Sequence, residues 1–148
     1  MKASKWFACL PYGRIEILIP QFMIAESTYT VSEGKSILAG KKGLFEYNFD
    51  NFIGRIFSIE NLGAPLTEME IKGKVPIVLR TSVVPIVQQI KLCEMKVSSS
   101  ILGVSLRKKG IVACRFYDKK IQYLVDIEKI LGNDFSSDGK RMAEDGND

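Results

Sequence analysis

Short apolar runs, each closed by Gly, Pro, Asn or Ser, succeed one another along most of this chain. Trp6 to Leu10 and Ile15 to Ile19 flank the turn signal Pro11-Tyr12-Gly13-Arg14, which predicts a hairpin. Pro20 ends its second strand or marks an edge. Phe22 to Tyr29 predicts a short extended or single-turn segment, and Val31 to Lys42 a loop. Phe45 to Ile59 is rich in β-branched and aromatic residues. It reads as strand, with Asn48-Phe49-Asp50-Asn51 as an internal turn. Val75 to Leu79, Val83 to Leu92 and Ile101 to Leu106 predict further strands, with a turn at Ser98-Ser99-Ser100. Gly110 to Tyr117 and Ile121 to Val125 form a second hairpin around Asp118-Lys119-Lys120. Asp126 then stands as the N-cap of a short helix that Gly132-Asn133 stops, with Ile127, Ile130 and Leu131 turned inward. Strands at intervals of roughly 8–12 residues predict a mostly-β sandwich or barrel.

Composition narrows the chemistry more than the architecture. The chain has 148 residues, enough for one self-sufficient core. Residues 1–133 are expected to form a single domain. Residues 134–148 hold five acids and two bases, a net −3, and are expected to be a disordered acidic tail. The preceding 133 residues hold 12 acids and 19 bases, a net +7. No apolar stretch approaches the ~20 residues of a membrane span, and no apolar run follows the N-terminal lysines as in a secretory signal. The expected location is the cytoplasm. Cys9, Cys93 and Cys114 are odd in number, far apart and set in apolar runs, so they read as buried free thiols. There is no histidine. That removes the commonest general base, the commonest metal ligand and the Ser-His and Cys-His nucleophile pairs. No Gly-rich phosphate loop and no pair of acids at a telling spacing takes their place, so the expectation is binding without catalysis.

Four segments, in order, resemble the CheW-like domain, an adaptor of bacterial chemotaxis. Trp6 to Glu26, with Ile19-Pro20 followed by Ile24 and Glu26, is similar to the family's opening strands and first interface motif. Asn48 to Ile59 resembles its Asn-Leu-Arg-Gly stretch, but carries Asp50-Asn51 where the family has Arg-Gly. Arg55 and Ser58 stand there where the pattern has Pro and Asp. Val83 to Ile90 resembles the third segment, with Val84 and Gln88 replacing Gly and Asp. Tyr123 to Leu131 closely resembles the closing strand and helix. Apolar positions are kept while signature polar ones are changed, so the resemblance speaks to the fold more than to unchanged partner coupling. It implies two small packed five-stranded β-barrel subdomains with a short C-terminal helix and no cofactor. It also implies docking of the regulatory domain of a CheA-type histidine kinase and of a chemoreceptor tip.

The site residues that the resemblance implies are Ile24, Glu26, Asp50, Asn51, Val84 and Val87. Ile24 and Glu26 fit a partner surface as an apolar anchor and a rim charge, or an ordinary strand edge. Asp50 and Asn51 fit an altered charge preference, or a plain polar turn. Val84, Ile86 and Val87 fit a groove lining, or core packing. Trp6 and the phenylalanines are expected in the core. Lys41-Lys42, Arg107-Lys108-Lys109 and Lys119-Lys120 fall in loops; gathered on one side they would suit a nucleic-acid-binding barrel, the alternative function.

Overall fold

The computed structural model describes residues 3–29, 43–60, 62–97 and 105–133. The Val31–Lys42 loop and the acidic residues 134–148 lie outside the described residues. Among the described residues, nine strands form two sheets. The first holds β1 (Ser4–Tyr12), β2 (Ile15–Pro20), β7 (Ile86–Lys91), β8 (Ile111–Tyr117) and β9 (Lys120–Val125), in the order β7-β1-β2-β9-β8. The second holds β3 (Ile24–Tyr29), β4 (Phe45–Asn48), β5 (Thr67–Ile71) and β6 (Ile77–Thr81), in the order β3-β5-β6-β4. Helix α1 spans Phe49–Phe57, a short α2 covers 105–108 and α3 covers 127–133.

Both expected hairpins form, each with the turn its residues allow. Tyr12 pairs with Ile15 across Gly13-Arg14, and Gly13 takes φ 77°, the conformation a leading glycine supplies in a two-residue loop. Tyr117 pairs with Lys120 across Asp118 and Lys119, both at positive φ (48° and 62°), as a loop with two left-handed residues requires. The Asp126 cap also forms: its carboxylate accepts from the Lys129 backbone N–H at 3.2 Å.

The first sheet has the expected five strands; the second has four among the described residues. The segment Phe49–Phe57, expected as turn and strand, is a helix. Phe49, Phe52, Ile53 and Ile56 recur at i, i+3, i+4 and i+7, so a helix puts them all on one face. The Asn48 side chain accepts from the Asp50 N–H at 3.1 Å, and Ser58 closes the helix in a left-handed cap. Residues 105–108 are helical as well, where the tail end of a strand over Ile101–Leu106 was expected; Ile101 to Val104 lie outside the described residues.

One core serves both sheets. Leu10, Ile17 and Ile19 of the first meet Met69, Ile71, Ile77 and Leu79 of the second, with α1 and α3 filling the ends. The opposite face of the first sheet carries a smaller cluster of Phe7, Cys9, Leu18 and Ile90. This strict alternation along β1 is what a strand buried on both faces demands. Two expectations about burial fail. Trp6 is 53% exposed, and Phe22, Phe45 and Phe116 are exposed too. Cys9 and Cys114 are buried, but Cys93 is exposed on a 3₁₀ turn, Leu92–Glu94.

Candidate functional site

The chain crosses from the second sheet to the first through Ser82–Pro85, between β6 and β7. There the edge of β7 and β1 faces β3 and β5, and an apolar groove of about 300 Å³ opens between them. Val84, Pro85 and Val87 line one wall, and Ile24, Thr67 and Met69 another. Val84 is 47% and Val87 55% exposed. A second hollow of about 450 Å³ continues it along Trp6 and Phe22, sharing Gln21 and Val87. The Lys5 ammonium lies 5.9 Å from the Phe22 ring centroid. Exposed aliphatic and aromatic side chains gathered into one concave strip are the composition of a protein-binding surface rather than of ordinary exterior.

The groove contains two unmet polar atoms. The side-chain oxygens of Gln21 and Thr67 are buried without a hydrogen-bond partner. Thr67 Oγ1 is held there because β5 pairs closely on both sides, with β3 and with β6.

The crossover that carries Val84 and Pro85 is fixed from beneath. Thr81 Oγ1 donates to the Val83 carbonyl at 2.8 Å, and the Ser82 N–H donates to Asp50 Oδ1 at 3.2 Å. The same Asp50 oxygen accepts from the Tyr12 hydroxyl at 2.9 Å. Burial, and then the negative charge of Asp50, pushes the Tyr12 hydroxyl far above the ordinary phenol range, so it stays protonated and donating.

On the far face of the first sheet lies a closed polar network. Gln122 Nε2 donates to Glu16 Oε1 at 2.8 Å and to Gln88 Oε1 at 2.9 Å, while its own oxygen accepts from Arg115 Nε at 2.8 Å. Arg115 pairs with Glu94, and Lys120 Nζ stands 3.2 Å from Glu16 Oε2. Burial and the neighbouring Glu16 push the Cys9 thiol up to about 12, so it is protonated and inert at neutral pH. Among the described residues no group of His, Cys, Asp and Glu is arranged to hold a metal ion.

No protein-family model matches the chain, and no curated protein matches it in sequence. Among solved structures, it is similar to the scaffolding protein CheW of Thermoanaerobacter tengcongensis. The TM-score is 0.59, over 85% of this chain and 86% of that one, at 8% sequence identity. The chain has a CheW-like fold.

Within the CheW-like fold, the six residues implied by the resemblance separate. Ile24, Val84 and Val87 come together on the groove. Glu26 does not join them. A bulge at Ala25 pairs Ile24 with Ile71 but Glu26 with Glu70, which turns Glu26 to the opposite face of the sheet. Asp50 is 8% exposed and points inward, so the surface position expected for it is corrected. The cause is α1, which rotates Asp50 toward Tyr12 and leaves Asn51 exposed. Trp6 and Phe22 were missed, because an aromatic residue in an apolar run reads as core. The signal that the sequence offered was the placement of Trp6 beside Lys5 near the start of a strand.

Proposed function

We propose that the protein is a non-catalytic adaptor of chemotaxis-type signalling, which seats an apolar segment of a chemoreceptor tip or another array component in the groove between its sheets. A separate surface docks the regulatory domain of a CheA-type histidine kinase. The observation that carries this reading is the convergence of Ile24 with Val84 and Val87, from two segments about 60 residues apart in sequence, on one exposed apolar groove of a CheW-like fold. Affinity comes from burying the groove's aliphatic wall and the rings of Trp6 and Phe22, at about 25 cal/mol per Å² of apolar surface before the costs of association. The altered polar positions in the Asn48–Ile59 segment, with Asn51 on the surface, give the adaptor a partner preference of its own.

Trp6 is the single tryptophan of the chain and stands beside the groove, so it reports directly on occupancy. Titration with a tryptophan-free receptor-tip fragment should shift its emission to the blue, and Val87→Glu should abolish the shift. Calorimetry with the CheA-type regulatory domain should show binding that survives Val87→Glu. Absence of binding to both partners at micromolar concentration, by a chain that circular dichroism shows to be folded, would rule the adaptor reading out.

A further inference from the structure

A further groove, of about 540 Å³, lies between the β5–β6 turn and α3. Ile71, Ile77 and Leu131 form its apolar floor, and Val75 stands 62% exposed at its lip. Its rim carries Lys72, Lys74 and Lys129, all exposed. None of these three ammonium groups has an ion-pair partner among the described residues. The turn is closed against the helix: a Cβ on Gly73 would stand 3.0 Å from Glu128 Oε1. Across α3, the Asn133 side chain donates to the Lys108 carbonyl at 2.9 Å, which sets the Arg107-Lys108-Lys109 run against the same helix. Asp126 and Glu128 also line the groove, so its own lining carries three bases against two acids, a net +1, and the exposed Arg107-Lys108-Lys109 run is what makes this part of the surface basic around the apolar slot.

The chain itself provides the complementary piece. Gly132 lines the slot, and the acidic segment 134–148 follows directly after Asn133. That segment has a net charge of −3, with Phe135 and Met142 as its large apolar residues. Fifteen residues reach at most about 50 Å, several times what the slot requires. Tethering places the segment at a local concentration on the order of millimolar, ahead of any acidic peptide in free solution. We propose that segment 134–148 docks in this groove, its carboxylates on Lys72, Lys74 and Lys129 and an apolar side chain on the Ile71–Ile77–Leu131 floor. This proposal does not depend on the adaptor reading, since the two grooves share no lining residue.

The test is zero-length carbodiimide cross-linking of the full chain, mapped by mass spectrometry on an equal mixture of light and heavy-nitrogen protein. At low salt, light-only and heavy-only links should join carboxylates of 134–148 to Lys72, Lys74 and Lys129, and at about 0.5 M salt, where screening is short-ranged, they should be lost. Links scattered over distant lysines such as Lys5 and Lys91 would overturn the proposal. So would mixed light–heavy links, which place the segment on a second copy. As an independent reading, hydrogen exchange of residues 72–77 should accelerate in a full-length variant with Asp134, Asp138, Glu144, Asp145 and Asp148 changed to their amides. Unchanged exchange would equally sink the idea.

Discussion

The Tyr12 hydroxyl donates to Asp50 Oδ1 across 38 positions of sequence, at 2.9 Å and out of contact with water. The bond joins the last residue of β1, in the first sheet, to the first turn of α1. Because the same carboxylate also accepts from the Ser82 N–H, it ties both elements to the crossover that forms one wall of the groove. Asp50 is thus a positioning residue for Val84 and Pro85.

Removing either partner leaves a buried polar group unpaired. Asp50→Ala should lower stability by about 2–3 kcal/mol and Tyr12→Phe by about 1–2 kcal/mol. The double variant should lose less than the sum of the two, because the interaction can be lost only once. Urea denaturation of the four proteins measures this. Additive losses would show that the two side chains are not coupled.

Glu16 gives stability a defined acid limb. Burial acts to raise its pKa, but hydrogen bonds from Gln122, Lys120 and Cys9 outweigh it and hold the carboxyl below its ordinary value of 4.5. A folded-state pKa below the unfolded one contributes stability that is complete above 4.5 and is lost as the pH falls through the folded value. Glu16→Gln should flatten the fall in melting temperature below pH 4.5 while costing stability at neutral pH. An acid limb of unchanged steepness would place the titrating group elsewhere.

Gly110 sits at φ 105° where β8 begins, and its carbonyl accepts from the Asp126 N–H at 2.7 Å. A Cβ there would lie 2.6 Å from Ile130 Cγ1 and 3.3 Å from the Asp126 carbonyl. Gly110→Ala should therefore cost about 2–4 kcal/mol through backbone strain and displacement of α3. Chemical denaturation reads the cost, and a loss under about 0.5 kcal/mol, the ordinary surface range, would contradict the geometry.

Thr67→Val should do the reverse. Its hydroxyl is buried and unpaired, so an apolar replacement of similar shape should leave stability unchanged or raise it by up to about 1 kcal/mol. A clear loss on thermal unfolding would mean that the hydroxyl has a partner in solution.

Much of this molecule could be read along the chain, because the interactions concerned are local. The hairpins at Gly13 and at Asp118-Lys119, the Asp126 cap and the inward stripe Ile127, Ile130 and Leu131 each depend on residues within a few positions of one another. Where two local signals competed, the weaker one misled. The β-branched and aromatic content of Phe49–Phe57 suggested strand, but the i, i+3, i+4, i+7 spacing of Phe49, Phe52, Ile53 and Ile56 under an Asn48 cap governs, since it buries one face at once. Tertiary structure alone decided which residues line the groove. Nothing local distinguishes a valine in a core from one in a groove. Val84 and Val87 are exposed because a crossover between sheets, pinned by Asp50, holds them at the edge of the core instead of inside it. The same holds for Trp6, left in water because β3 and β5 cover the middle of β1 but not its beginning. Composition and periodicity fix which residues are apolar and how each segment folds; which apolar residues stay in water depends on where distant segments stop covering them.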